Sequence, residues 1–395
     1  MEDITQKFSI SANSMQRSVI RELLKFTNNP DVISFAGGFP APNLFPLEKI
    51  KEIVSEILDE DGAKALQYGE TEGDLKLRKL LVERYNAQGF NIDLKNLVIV
   101  TASQQGLDLV SKIFLDKGDK VVCGLPSYLG ALQAFNAYGA KMIGIRDDAA
   151  LDNTLSVLQT VGDLPKFIYA IPDFQNPSGV TMTETDRRMV LDIAEKYDVL
   201  VIEDSPYREV RFEGNHEKTM YEMDKSGRVI LLGTFSKIFV PGFRLGWVIA
   251  NETIINKIVT AKQSVDLCSP VLDQKIAAKF LEKGYLDTHI PKIIESYRRK
   301  RDGMIAALEE YMPEGVTWTR PEGGLFLFIT LPEYMDARDL FDIAIKENVA
   351  FVLGNAFFCD GSGKNTMRIN FSYMSEEMNT EGVRRLAAAV KKLMK

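Results

Sequence analysis

Seven short apolar runs, separated by segments of helical periodicity, constrain this chain more than any other feature. They fall at 96–100, 120–123, 141–145, 167–171, 199–202, 228–232 and 247–250. Runs of four or five residues, mostly apolar and without alternation, suit strands buried on both faces, which is the condition of a parallel sheet. Helix-like segments, including 106–115 and 184–197, lie between several of them. The pattern predicts an α/β fold: a large domain with a mostly parallel seven-stranded sheet between helices, with ligands beyond the carboxyl ends of its strands. Chemistry is therefore expected just after each run.

From about residue 292 the pattern changes to a long charged helix over 295–311, a stretch at 316–331, a helix near 337–347, a strand-like 366–372 and a closing helix. This reads as a smaller α+β domain. The division expected is 1–45 for an N-terminal arm and part of the small domain, 46–291 for the large domain and 292–395 for the small C-terminal domain. Near the start, Met15, Val19, Ile20, Leu23 and Leu24 fall on one helical face, with Arg17 and Arg21 on another.

Composition narrows the class. In 395 residues, 45% apolar content supplies a large core, while a net charge of −7 argues against a surface built for nucleic acid or an anionic membrane. The opening residues carry no apolar leader and no later stretch forms an uninterrupted membrane span, so a cytoplasmic protein is expected. Cys123, Cys268 and Cys359 are far apart in sequence, form no C-x-x-C pair and leave an odd number, which fits a reducing compartment. His216 and His289, each in a polar setting, have no metal-ligand spacing, so neither a metal site nor a histidine-based triad is expected.

Lys237 stands out in the segment Thr234-Phe235-Ser236-Lys237-Ile238-Phe239, with Arg244 seven residues on. Burial among apolar neighbours disfavours an ammonium, lowers its pKa and leaves an amine able to condense with an aldehyde. Hydroxyls and an arginine nearby would suit the phosphate of pyridoxal phosphate. Elsewhere a lysine is ordinarily a surface or snorkelling residue, so the surrounding residues must decide. After the run at 96–100 come Thr101-Ala102-Ser103-Gln104-Gln105-Gly106, a strand, small turn and helix start that favours an anion or simply caps a helix. The run at 199–202 ends in Glu203-Asp204-Ser205-Pro206-Tyr207. Strand alternation puts the two carboxylates on opposite faces, and Asp204 is chosen as the one facing a pyridine nitrogen. Tyr207 would then reach the ring's phenolic oxygen, as would Asn176 in the turn Gln175-Asn176-Pro177-Ser178-Gly179, whose Asn–Pro bond is expected to be cis. Tyr128, after the run at 120–123, would stack on the ring.

Taken in order, these stretches resemble the fold-type I pyridoxal-phosphate-dependent aminotransferases, in the branch of 2-aminoadipate, kynurenine and aromatic aminotransferases. The resemblance spans nearly the whole chain and adds Ser34-Phe35-Ala36-Gly37-Gly38, Leu66-Gln67-Tyr68-Gly69 and Arg368-Ile369-Asn370-Phe371-Ser372. It implies pyridoxal 5'-phosphate as cofactor, with Ser103, Gln104, Ser236 and Arg244 around its phosphate. It further implies Lys237 as the Schiff-base lysine, with Asp204 under the ring nitrogen and Asn176 with Tyr207 at the phenolic oxygen. A tyrosine matching Tyr68 reaches the neighbouring subunit's phosphate in such proteins, implying a homodimer with shared sites. Arg368 resembles the arginine that grips the substrate α-carboxylate, with Gly38 and Asn176 also at the substrate. Arg21 matches a segment of the aminoadipate branch and is a candidate partner for an acidic side chain. One departure is Gly106 where many relatives have alanine, which would loosen the helix start.

The implied reaction is transamination of an L-amino acid of 2-aminoadipate, aromatic or branched-chain type, with the 2-oxoglutarate/glutamate pair as partner. Lys237 would move the Cα proton. A β-lyase or racemase would use the same lysine and aspartate. A ligand-sensing regulator with an aminotransferase-like domain is a third class, against which stands the lack of a basic DNA-binding stretch.

Overall fold

The computed structural model describes residues 4–15 and 31–394. Its strands are β1 (Ile33–Ser34), β2 (Leu97–Val100), β3 (Lys120–Gly124), β4 (Lys141–Ile145), β5 (Phe167–Ala170), β6 (Leu200–Asp204), β7 (Val229–Thr234), β8 (Gly246–Ile249), β9 (Thr317–Trp318), β10 (Phe326–Thr330), β11 (Val349–Ala350), β12 (Val352–Leu353) and β13 (Thr366–Asn370). The seven expected runs become β2 to β8 and form one sheet in the order β2-β8-β7-β6-β5-β3-β4. Only β8 runs against its neighbours, so the rest carry their carboxyl ends to a single edge.

Burial on both sheet faces explains why these runs lack polar alternation. Val121, Phe167, Tyr169, Ile202, Ile230 and Leu232 enter the larger core. Their neighbours Val122, Ile168, Val201 and Val229 pack with Leu151, Leu155, Val190 and Ala194 from the helices Asp148–Thr160 and Glu184–Lys196. The second of these helices starts on a reciprocal capping box between Thr183 and Asp186.

The helix Ala102–Phe114 lies over the sheet beside β7 and β8. A Cβ at Gly106 would meet Leu232 at 3.2 Å and Val248 at 3.3 Å. The residue expected to loosen the helix start thus also permits its close seating on the sheet.

A four-stranded antiparallel sheet is ordered β12-β13-β10-β9, the helices Tyr285–Tyr311 and Glu376–Leu393 pack on each other, and β1, paired in parallel with β11, packs with the second helix. The charged helix expected over 295–311 begins at Tyr285, behind the left-handed Gly284, and carries Pro291 within it. Tyr297 on this helix accepts the Ala41 N–H at 2.9 Å, tying down the segment that follows β1.

One expectation needs correction. His289 does not sit in a polar setting: it is buried against Phe280, its Nε2 has no partner among the described residues, and burial pushes its pKa down to about 4. Cys123 and Cys359, distant in sequence, meet with their sulfurs 3.9 Å apart as free thiols, because β3 and the segment after the 3-10 turn Gly354–Phe357 converge. Among the described residues no helix is long and apolar enough to cross a membrane. Of the helical face expected over 15–24, everything beyond Met15, including Arg21, lies outside the described residues.

Candidate active site

The carboxyl edge of the large sheet gathers most of the singled-out residues. At the end of β6, Asp204 is buried, and its Oδ2 accepts the hydroxyl of Tyr169 at 2.8 Å. Its Oδ1 has no partner among the described residues. Burial raises its pKa to about 7 against the opposing effect of the Tyr169 hydrogen bond. Glu203 points to the opposite face, where it accepts the Tyr221 N–H at 2.9 Å, as strand alternation requires.

β7 runs into Ser236 and Lys237. The Lys237 ammonium donates to the Gly38 carbonyl oxygen at 2.9 Å and lies 5.8 Å from the Tyr207 ring centre. Burial, then the nearby Arg368 and Arg244 charges, push its pKa down to about 8. Ser236 is buried, its N–H donates to the Thr234 hydroxyl at 3.1 Å, and the two hydroxyls lie 2.9 Å apart. Arg244 adopts the left-handed region after the 3-10 turn Pro241–Phe243, with its side chain exposed.

The turn after β5 carries Asn176, and its bond to Pro177 is cis as expected. Asn176 joins two groups: its Nδ2 donates to the Tyr207 hydroxyl at 3.4 Å and its Oδ1 accepts from Arg368 at 2.8 Å. A fully buried ion pair pins this turn, with Arg187 donating to Asp173 at 2.8 Å and to the carbonyls of Pro172, Met182 and Lys218. Such a pair tolerates burial only because its remaining polar atoms are also satisfied.

At the end of β2, Thr101 holds the N-cap position of the helix Ala102–Phe114 without capping it. Its hydroxyl donates to Asp266 at 3.0 Å and its N–H to Gln105 Oε1 at 2.7 Å. The first-turn N–H groups, those of Ser103 and Gln104 among them, are thereby left without a side-chain cap, which favours an anion there. The Gln104 side chain is engaged elsewhere, donating to the Gly130 carbonyl at 2.9 Å and accepting from the Tyr128 hydroxyl at 3.3 Å. A Cβ at Gly246 would come within 2.8 Å of Ser103 N and the Ala102 carbonyl carbon, so only glycine allows β8 to start against this helix.

Arg368 reaches the site from β13, where it stands opposite Phe328 and Val352. It donates to Asn176 and, at 2.7 Å, to the Ala36 carbonyl oxygen. Phe326 and Phe357 lie 4.2 and 5.2 Å from its guanidinium carbon. Burial pushes its pKa down to about 10, which leaves it charged at neutral pH.

Lys237, Asp204, Asn176, Tyr207, Tyr128, Arg368 and the Gly38 carbonyl therefore converge. Tyr68 stands apart, 80% exposed beside an open groove that Thr101, Asp266 and Val271 also line. Arg21 lies outside the described residues. Sequence reasoning missed Tyr169, the Arg187–Asp173 pair and Gly246. A tyrosine inside a run expected to be buried needs a hydroxyl partner, and that signal would have found the first.

The unmet needs here match a phosphorylated pyridine aldehyde. Among the described residues a buried carboxylate oxygen lacks a donor, an amine is depressed toward its neutral form, and a helix start lacks a side-chain cap. Comparison with known proteins points the same way. The family model for aminotransferase class I and II matches residues 31–386. Aromatic-amino-acid aminotransferase 1 of Thermococcus litoralis is 48% identical, over 100% of this chain and 96% of that protein. The 2-aminoadipate transaminase of Thermus thermophilus is 39% identical, over 99% and 98% of the two chains. The crystal structure of Pyrococcus horikoshii kynurenine aminotransferase, in complex with PMP, superposes with a TM-score of 0.96 at 46% identity, covering 100% of this chain and 99% of that one.

Proposed function

This chain belongs to the class I and II aminotransferases and is a pyridoxal-phosphate-dependent transaminase, and on that premise we propose that it moves the α-amino group between an aromatic or 2-aminoadipate-type L-amino acid and 2-oxoglutarate. The observation that carries the residue assignment is the unpartnered Asp204 Oδ1, buried within the site that Lys237, Asn176 and Arg368 also enter. The substrate class rests on the names of the relatives.

When bound, pyridoxal phosphate supplies an aldehyde for the amino group and a protonated ring that takes up the electron pair left at Cα. In this reading Asp204 Oδ1 would accept the ring N–H, Tyr128 would hold the ring, and Asn176 and Tyr207 would serve its phenolic oxygen. Ser103, the Gln104 N–H, Ser236 and Arg244 receive the phosphate. Arg368 grips the substrate α-carboxylate through its two-pronged guanidinium, Asn176 and Gly38 line the substrate's side, and the clamp holds the Cα–H bond toward Lys237. The Lys237 amine would take the Cα proton and give it back to the cofactor carbon that carries the aldehyde, and its pKa of about 8 suits both directions near neutral pH. The exposure of Tyr68 supports a role toward the phosphate of a second copy in a homodimer. The division at 45/46 and 291/292 into arm, large cofactor-binding part and small part belongs to the same reading, as does Arg21 as partner of an acidic substrate side chain.

An amino-donor screen against 2-oxoglutarate, following glutamate formation, tests the proposal. Aromatic amino acids and 2-aminoadipate are expected at the top, and Arg21→Ala is expected to lower the acidic-to-aromatic ratio about tenfold, the size of one lost charged hydrogen bond. Release of pyruvate and ammonia, or inversion without an acceptor, would replace transamination with lyase or racemase chemistry.

A further inference from the structure

Tyr169 occupies a strand position where a hydroxyl needs a reason. It is 2% exposed in β5, flanked by Phe135 with ring centres 5.4 Å apart. Its register partner on β6 is Ile202, so Asp204 stands two residues further along the same sheet face. That diagonal spacing lets the phenol lean toward the strand end and donate to Asp204 Oδ2 at 2.8 Å. The carboxylate then has one oxygen held by the scaffold and one, Oδ1, without a partner. The Asp204 side chain makes no other hydrogen bond and no ion pair among the described residues, so Tyr169 alone fixes the rotation of the carboxylate.

We propose that Tyr169 is a positioning residue of the cofactor site: through Asp204 it orients the carboxylate and favours its ionised form, so that Oδ1 can pair with a protonated pyridine nitrogen. This rests on the reading of Asp204 as the ring partner. A phenol donated to a carboxylate stabilises the anion, whereas the surrounding burial opposes it. Without the phenol a carboxylate in this pocket would be neutral over more of the physiological range, and a neutral acid holds a pyridinium poorly. The other groups facing this corner are Tyr128 and Tyr207, whose phenols burial pushes above their ordinary range, and the Arg368 and Arg244 cations. Around neutral pH the groups of this corner left to titrate are Asp204 and the Lys237 amine; Glu203, raised by burial to about 7, faces the other side of β6, and only Asp204 touches Tyr169.

The test is pyridoxal-phosphate affinity of the full-length apoenzyme against pH for Tyr169→Phe, Asp204→Asn and the double variant. Tyr169→Phe is expected to weaken binding about tenfold at pH 7, the size of one hydrogen bond to a charged group, and to raise the acidic limb of the affinity profile by about one pH unit. When Tyr169→Phe is added to Asp204→Asn, it is expected to alter affinity less than twofold, because the phenol then has no anion to support. Equal tenfold losses on both backgrounds would show a general packing effect and overturn the proposal. So would an unchanged affinity and limb in Tyr169→Phe while Asp204→Asn binds poorly. If Asp204→Asn itself binds pyridoxal phosphate as tightly as the parent, the assignment of Asp204 has failed, a result separate from any failure of Tyr169. Thermal melting of each apo variant checks that all remain folded.

Discussion

Lys237→Ala is expected to lower kcat/KM for transamination by at least about 10⁴-fold, the upper range for losing a positioned acid–base group, and to remove the visible absorbance of the pyridoxal-phosphate-loaded enzyme. Protonation sets the first requirement. At pH 7 an amine with a pKa of about 8 is about one tenth neutral, against about one part in three thousand for an ordinary lysine. Burial is the largest cause of that gain, and the Arg368 and Arg244 charges add to it. Its hydrogen bond goes to a backbone carbonyl, and among the described residues no carboxylate pairs with the ammonium to hold its charged form. On the proposed reading, alanine removes both the nucleophile and the proton carrier. Lys237→Arg is expected to fail equally, since a guanidinium keeps the charge and gives up no proton near neutral pH. Neither change should prevent folding, which a melting curve of the cofactor-free protein would verify. A Lys237→Ala enzyme that kept its visible band and its turnover would place the chemistry on another residue.

The same lysine shows how much of the site is legible before any coordinates. Apolar runs without alternation identify strands buried on both faces, and the rule that ligands gather at their carboxyl ends directs attention to the residues following each run. Lys237, Asp204 and Asn176 are legible in that way because each follows a run directly or within a short turn. Arg368 is not: it lies inside β13, in a different sheet, and only the family resemblance points to it. The supporting groups are harder because their meaning is purely spatial. Asp173 reads as a turn residue until Arg187, fourteen positions on in the next helix, closes on it. Gly246 reads as an ordinary small residue until the approach of Ser103 N shows that no side chain fits. The thiols of Cys123 and Cys359, 236 residues apart, carry no sequence signal for their proximity. Nor does the burial of His289 follow from its polar neighbours in sequence, since helical packing sets it against Phe280.

Arg368→Ala is expected to reduce kcat/KM for amino acids by about 10²–10³-fold, mostly through KM, given about 2–5 kcal/mol for one partner of a buried charged pair and about 1.4 kcal/mol per factor of ten. Arg368 is a buried cation whose partners among the described residues are an amide oxygen, a backbone carbonyl and two aromatic faces. Among the described residues it forms no ion pair with a carboxylate, and burial lowers its pKa to about 10. A guanidinium fixed in place and left without an anion is strongly disposed toward an incoming carboxylate, because the desolvation cost is already borne by the fold. Asn176 fixes the orientation by bridging Arg368 to Tyr207, so the cation is held in register with the phenol expected at the cofactor. Arg368→Lys retains the charge but loses the two-pronged geometry and the guanidinium contact over Phe326, so it is expected to recover less than about a tenth of the parent kcat/KM. The decisive comparison uses an amine that matches a good donor but lacks the carboxylate. Its slow turnover should be nearly the same in parent and Arg368→Ala enzymes, since the missing interaction is absent from both. A KM for the amino acid that stayed within twofold of the parent, or an equal loss on the amine, would mean that Arg368 supports the fold of the site and that the carboxylate is held elsewhere.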